Sequence, residues 1–156
     1  MKTCLTLVLL FCSFALAQKP AAKAAPTPAD PSGMYSFLKD GEFVQLTVED
    51  GRVSGFISRY GDRETDRGVF LDHFFKTDNK DSNLDGNKLT FATKTVHNVW
   101  YEFKGTIERG QGKSVQEDGY YLLKGTLATH TQDASGKEST DIREVVFKSF
   151  PQDMGQ

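Results

Sequence analysis

The feature that most constrains the fold of this chain is a strict alternation of apolar and polar residues in short runs. Residues 44–49 alternate valine and leucine with glutamine, threonine and glutamate, and residues 101–107 place Tyr101, Phe103 and Ile107 on one side. Successive side chains of a strand point to opposite faces, so each run has one dry and one wet face. No segment has a convincing helical period. The pattern predicts an all-β fold built from antiparallel strands that enclose a core.

Turn signals divide these runs into strands. Asp40-Gly41, Asp50-Gly51 and Asp85-Gly86 lie between apolar runs, where glycine supplies the positive φ that tight hairpin turns need. The link 76–87 has room for one turn of helix. Eight strands are predicted, over residues 34–39, 42–49, 52–60, 68–77, 88–96, 99–109, 120–131 and 142–150.

Glycines within the predicted strands point to the way the sheet closes. Gly105 and Gly125 occupy the same place in two similar segments, 101–107 and 121–127, and Gly55 does so in a shorter version. An interior glycine weakens a strand, and sharp coiling around a small barrel is one reason to keep it. We therefore expect a single antiparallel eight-stranded up-and-down barrel, which leaves no sheet edge exposed. A two-sheet β-sandwich is the alternative.

The first seventeen residues have the pattern of a secretory signal peptide. Lys2 gives a positive start, residues 5–16 hold an apolar core too short to span a bilayer, and Ala15 and Ala17 supply small side chains before the cut. We expect cleavage between Ala17 and Gln18 and a secreted or periplasmic protein. Both cysteines lie in the signal, so the mature chain would have no disulfide. Lipidation of Cys12 is the alternative, which the bulky Phe11 before it disfavours.

Composition divides the remainder of the chain into three parts. Residues 18–32 are rich in alanine and proline and predict a disordered linker, residues 33–150 form the β-domain, and residues 151–156 form a tail. Basic residues are interspersed with acidic ones, which argues against a nucleic-acid partner. No later segment is apolar for long enough to predict a membrane span. The oligomeric state stays open.

Two short stretches resemble the avidin/streptavidin-like barrels, relatives in shape of the lipocalins. Gly33-Met34-Tyr35 is similar to their opening Gly-x-Trp, and residues 50–56 are similar to their second hairpin. The resemblance implies a barrel with a ligand site at one end and a lid in the loop between strands three and four. Biotin sites of that family are walled by several tryptophans, whereas this chain contains only Trp100. The resemblance therefore assigns no ligand residue.

Strand parity assigns every loop of such a barrel to one of two ends. One end collects the turn 40–41 and the loops 61–67, 97–98 and 132–139, and carries aromatic and charged residues of the kind that line ligand sites. Loop 61–67 either acts as a lid or is a solvated turn of alternating charge. The predicted ligand-binding residues are Arg59, Tyr60, Arg63, His97, Trp100, Tyr101 and His130.

Metal sites have weak support in the sequence. His97 and His130 fall at the same end, but their spacing is long and no short ligand motif accompanies them, so no metal site is predicted there. Residues 81–86 match the first half of a calcium loop, D-x-[DN]-x-[DN]-G. The twelfth position is Ala92 where a bidentate glutamate would be needed. Whether Asp81, Asn83 and Asp85 bind calcium stays open, because Asp-Gly turns produce the same pattern by chance.

Catalytic patterns are weaker still. The mature chain has no cysteine and no G-x-S-x-G motif. Either Asp72 or His73 faces inward, and we expect it to be buried with a hydrogen-bond partner. The sequence predicts an exported, non-enzymatic barrel without a cofactor, binding a small, partly apolar ligand at one mouth. The alternative is a structural or protein-interaction domain with a filled core, and a third reading makes Asp72 or His73 an acid–base group.

Overall fold

The computed structural model describes residues 30–151, and this part of the chain is nearly all β. The predicted signal peptide, residues 18–29 of the predicted linker and residues 152–156 lie outside the described range. The only helical element in residues 30–151 is a single 3-10 turn, Glu64–Asp66. The strands are β1 (Gly33–Ser36), β2 (Phe43–Glu49), β3 (Arg52–Tyr60), β4 (Phe70–Phe74), β5 (Asn83–Asp85), β6 (Lys88–Ala92), β7 (Val99–Arg109), β8 (Tyr121–Gln132) and β9 (Glu138–Phe150).

Eight of these strands close into an antiparallel barrel, which confirms the predicted fold class and excludes the sandwich. Strands β1 to β4 pair in chain order, β6 to β9 do the same, and β9 returns to β1 with Met34 opposite Phe150. Strands β4 and β6 meet through a bridge between Phe75 and Thr93, beside which Lys94 N donates to Phe74 O at 2.8 Å. Closure satisfies backbone groups that an open sheet would expose.

The link between β4 and β6 differs from the expectation of a helical turn. Residues Asn83–Asp85 form β5, which pairs with β6 as a short hairpin and meets β3 at one position. Gly86 has a φ of 59° and makes the tight turn between them. Leu84 packs against the core, so the hairpin buries an apolar side chain that a solvated helical turn would leave exposed.

The last strand begins earlier than predicted. Strand β9 starts at Glu138 because the β8–β9 hairpin continues beyond the barrel wall with polar side chains on both faces. The Asp133 carboxylate accepts hydrogen bonds from the amides of Ser135 and Lys137 at 2.8 and 3.0 Å, which fixes the connecting turn. Such a polar ribbon lacks the one-sided alternation by which strands are recognised.

The mid-strand glycines stand where neighbouring strands come close. Gly105 and Gly125 are opposite each other in the register of β7 and β8. A Cβ atom at Gly105 would lie 2.2 Å from the carbonyl oxygen of Lys124, and one at Gly125 would lie 2.3 Å from that of Lys104. These two strands could not adopt this arrangement with larger residues there.

The barrel interior is filled by side chains. A stack of aromatic rings crosses it: Phe75 lies 4.3 Å from Phe91, and Phe91 lies 5.1 Å from Phe103, between ring centroids. An eight-stranded barrel is just wide enough for its inward side chains to fill it. The buried apolar residues are Tyr35, Phe37, Val44, Leu46, Val53, Ile57, Phe75, Leu89, Phe91, Ala92, Tyr101, Phe103, Ile107, Tyr121, Leu123, Leu127 and Phe147.

The last residues of the predicted linker belong to the folded part. The Tyr35 hydroxyl donates to the carbonyl oxygen of Pro31 at 2.5 Å, and Val48 N donates to Ser32 Oγ at 3.0 Å. Burial, the first cause, and the nearby Tyr121 and Asp30 raise the pKa of Tyr35. In residues 30–151 no helix is long and apolar enough to cross a membrane.

Candidate functional site

One end of the barrel, which we call the mouth end, carries the turns between β1 and β2, β3 and β4, β6 and β7, and β8 and β9. There the inward-facing positions change from apolar to polar. Four inward-facing side chains there carry polar groups, and each lies two residues along its strand from an inward-facing apolar residue. They are Arg59, Tyr101, Thr129 and Arg143. They surround a cavity of about 240 Å³, the mouth pocket. Its wall is completed by Leu38, Lys39, Glu42 and Asp62.

Arg59 is the fixed centre of the mouth pocket. Its side chain is 9% exposed, and its Nη1 donates to the Tyr101 hydroxyl at 2.9 Å. Its Nε donates to the carbonyl oxygen of Tyr60 at 3.1 Å, and Nη2 pairs with the Asp62 carboxylate. Burial raises the pKa of Tyr101, and the Arg59 guanidinium partly opposes that shift. The tyrosine is therefore a neutral hydroxyl at physiological pH.

The two carboxylates of the pocket have partners in the protein. Glu42 is buried, and its two oxygens accept hydrogen bonds from the amides of Lys39 and Tyr60, each at 3.2 Å. This ties the turn between β1 and β2 to the end of β3. Asp62 pairs with Arg59 and, at 3.5 Å, with the Lys39 ammonium.

Loop 61–69 is closed against the turn between β6 and β7. Asp66 is buried, and its Oδ2 lies 2.8 Å from His97 Nδ1. The other carboxylate oxygen accepts from the Arg63 amide at 2.8 Å, while the Arg63 guanidinium donates to the His97 carbonyl oxygen at 2.8 Å. Burial raises the pKa of Asp66, but the bonds to His97 and Arg63 outweigh it and hold that pKa below its usual range. We call this arrangement the clasp.

The structure divides the seven predicted site residues into three groups. Arg59 and Tyr101 line the mouth pocket, and Arg63 and His97 form part of the clasp. The remaining three lie on the outer wall of the barrel. Tyr60 stacks on Phe70 at 4.4 Å between ring centroids, and Trp100 and His130 stack on each other at 5.0 Å.

Strand parity explains this division. Tyr60 and Trp100 face outward because each is adjacent in sequence to an inward-facing residue, Arg59 and Tyr101 respectively. Sequence reasoning misses six of the eight pocket residues, namely Leu38, Lys39, Glu42, Asp62, Thr129 and Arg143. For three of them a signal exists: Thr129 and Arg143 are the next inward positions to Leu127 and Val145 on β8 and β9, and Glu42, which directly precedes β2, continues the alternation of Val44.

His73 points into the barrel and is fully buried, while Asp72 is exposed. Within residues 30–151 neither ring nitrogen makes a hydrogen bond of full geometric quality, and weaker backbone contacts at Lys94 and Val99 act on the ring in the direction that raises its pKa. The ring packs edge-on against Tyr101 at 5.1 Å between centroids. Burial, helped by the charge of Arg59, lowers the pKa of His73 to about 4. The imidazole is therefore neutral at physiological pH, and it does not line the mouth pocket.

The structure places the candidate metal ligands on β5 and directly before it. Asp81 precedes β5, while Asn83 and Asp85 lie within it and are exposed. In the described part of the chain, no three His, Cys, Asp or Glu side chains lie together so that they could hold a metal ion.

A second surface stands out on the outer wall of β2, β3 and β4. Phe56 lies between Phe43 and Phe74, at 5.9 and 5.4 Å between ring centroids. Phe74 is 53% exposed and Phe70 is 46% exposed. We call Phe43, Phe56, Phe70 and Phe74 the aromatic face.

The closed antiparallel barrel is consistent with the avidin- and lipocalin-like architecture that the sequence resembles. No protein-family model, no curated protein and no solved structure matches the chain. The resemblance therefore extends to architecture alone.

Proposed function

We propose that this protein is a non-enzymatic binding protein that holds a small polar molecule in the mouth pocket. One observation carries the proposal: four neighbouring inward positions, including Arg59 and Tyr101, leave the apolar pattern at the same end of the barrel. A desolvated guanidinium is costly to place in a protein interior. A barrel that only had to be filled could have continued with apolar residues at these positions.

The filled interior restricts what the pocket can hold. Phe103 and Leu127 close the barrel directly beneath Tyr101 and Thr129. An apolar portion of a ligand would have no cavity to enter, so the ligand we propose is small and polar rather than partly apolar. Loop 61–69, held by the clasp, would be the lid over this pocket.

The place of action is proposed from the sequence. The pattern of residues 1–17 indicates export. We therefore propose a ligand taken up outside the cytoplasm.

Native mass spectrometry of the full-length gene product, secreted by its own route and purified gently, tests this function. A discrete extra mass that is lost on denaturation supports it. Tyr101→Phe, which removes one hydroxyl from the pocket, should reduce the bound fraction. Tyr120→Phe removes a hydroxyl at the opposite end and serves as the matched control. A bare protein mass for the wild type would contradict the proposal.

A protein-interaction domain is the second candidate function. The observation that favours it is the aromatic face, where Phe70 and Phe74 are about half exposed although both could be polar without loss to the core. The two candidates differ in the substitutions to which they respond. Binding through this face would be weakened by Phe70→Ser and Phe74→Ser and unaffected by Tyr101→Phe.

A further inference from the structure

We infer that the ligand group bound in the mouth pocket is a compact oxyanion, a carboxylate or a phosphate, held between the guanidinium groups of Arg59 and Arg143. This inference rests on the proposed function and names the chemical class that the pocket accepts. Both arginines line the same cavity, and both act on the Tyr101 hydroxyl, where their charges oppose the effect of burial on its pKa.

The pocket has a surplus of hydrogen-bond donors. Thr129 Oγ1 is buried without a hydrogen-bond partner in residues 30–151. The Tyr101 hydroxyl accepts from Arg59, which leaves its own proton to donate. Arg143 gives one of its five N–H groups to Asp141 at 2.8 Å. A ligand acceptor satisfies the N–H groups of Arg143 and the proton of Tyr101, and the Thr129 hydroxyl can donate to the same ligand.

The acceptors of the pocket are already used within the protein. The Glu42 carboxylate receives two backbone amides, and the Asp62 carboxylate is paired with Arg59 and Lys39. Within residues 30–151 Arg143 pairs only with Asp141, whose side chain is 67% exposed, and such an exposed ion pair contributes little. The groups that remain to meet a ligand are therefore the Arg143 guanidinium, the hydroxyls of Tyr101 and Thr129, and the two N–H groups that Arg59 does not use within the protein.

Burial and size complete the argument for a compact anion. Arg59 is largely shielded from water, so its attraction for a negative charge is stronger than that of a surface arginine. Arg59 donates three of its five N–H groups to Tyr60, Tyr101 and Asp62, which holds its planar guanidinium in one orientation and leaves two N–H groups for an oxygen of a carboxylate or phosphate. A cavity of about 240 Å³ has room for such a group with a short substituent, and for little more.

The inference is tested by titrating the full chain with sodium acetate and with inorganic phosphate, each at matched ionic strength. Acetamide, which has the shape of acetate without its charge, is the control ligand. The readout is the NMR signals of the Tyr101 and Thr129 amides and of the Arg59 Nε–H. We expect saturable shifts with at least one anion and none with acetamide.

Two variants locate the binding. Arg143→Gln should weaken the anion about tenfold or more, the usual loss when a charge-assisted hydrogen bond is removed. Thr129→Val, which keeps the side-chain shape, should also weaken it. Arg52→Gln removes an exposed arginine from the opposite end of β3 and should leave the affinity unchanged. Arg143 is half exposed, so its variant is expected to fold, and unchanged amide signals elsewhere would verify this.

The outcomes separate this inference from the function on which it depends. Equal shifts with acetamide would overturn the oxyanion class and leave a site for neutral polar ligands. A bound mass in native spectra with no response to either anion would also overturn the class alone. No response to any probe, together with a bare protein mass, would overturn both. Equal affinity in Arg143→Gln and Arg52→Gln would remove the assignment to the mouth pocket.

Discussion

Asp66 Oδ2 lies 2.8 Å from His97 Nδ1, and this contact joins the loop after β3 to the turn between β6 and β7. The carboxylate is buried, whereas the imidazole is about half exposed. The two residues belong to segments that are not paired as strands along this part of the barrel wall. The clasp therefore fixes a loop at the mouth end that backbone pairing alone would leave loosely held.

The first prediction concerns the strength of the clasp. Asp66→Asn removes the charge that His97 and the Arg63 amide share, so we expect amide hydrogens of residues 62–69 and 97–98 to exchange several-fold faster. Hydrogen exchange followed by mass spectrometry measures this. Asp72→Asn, an exposed change on β4, is the matched control. Unchanged exchange in Asp66→Asn would mean that the loop is held by other contacts.

The clasp should also respond to pH. The pKa of Asp66 is lowered in the folded protein, so the folded state favours the charged carboxylate more than the unfolded state does. The stability that it contributes is present above its unfolded pKa of about 4 and is lost as the pH falls through its lower folded pKa. We expect exchange in residues 62–69 of the wild type to rise in acid towards that of Asp66→Asn, when both are corrected for intrinsic rates. Loop exchange that stays unchanged as the pH falls, until the whole barrel unfolds, would contradict this.

The second prediction concerns the buried His73. Its folded pKa of about 4 lies below the ordinary 6.5, so the unfolded chain binds more protons between these values. The free energy of unfolding should be largest above pH 6.5 and fall as the pH drops, by up to about 3 kcal/mol near pH 4. His73→Leu removes the titrating group. Urea unfolding at pH 7 and at pH 4.5 should show a smaller difference for the variant than for the wild type. Equal differences would contradict a neutral, buried His73.

The third prediction concerns the glycine pair that lets β7 and β8 approach. Gly105→Ala would place a Cβ atom 2.2 Å from the carbonyl oxygen of Lys124, and backbone cannot move aside as a flexible side chain can. We expect a loss of more than about 2 kcal/mol in the free energy of unfolding. Thr126→Ala, a neighbouring change on the outer side of β8, should cost far less. Denaturant unfolding of the two variants measures the contrast, and similar losses would mean that the strands can separate at little cost.

The sequence predicted the barrel because a period of two assigns each side chain to a face from local information alone. It predicted the mouth pocket only in part. Arg59 and Tyr101 lie at the mouth end and line the pocket. Trp100 and Tyr60 lie at the same end of the barrel but on its outer face, and the barrel end alone does not distinguish the two faces. Arg143 is absent from the predicted site residues because, in a sequence pattern, a charged residue is assigned to the solvent-facing side of a strand.

The clasp was beyond sequence reasoning for a different reason. Asp66 and His97 are separated by 31 positions and lie in loops without a repeating pattern. Only the lengths and curvature of β3, β4, β6 and β7 bring them together. The surroundings of His73 have a similar origin, since the groups within reach of a buried ring depend on how the opposite wall packs.

The last prediction separates a filled barrel from a hollow one. Phe91 is 1% exposed and stacked between Phe75 and Phe103, so Phe91→Ala should open a cavity and cost about 3–5 kcal/mol in the free energy of unfolding. Phe74→Ala removes the same ring from the aromatic face, where it is half exposed, and should cost about 1 kcal/mol or less. Urea unfolding of the two variants at pH 7 measures this contrast. A small loss in Phe91→Ala would mean that the interior tolerates empty space, and a larger, partly apolar ligand would then become a reasonable occupant of the barrel.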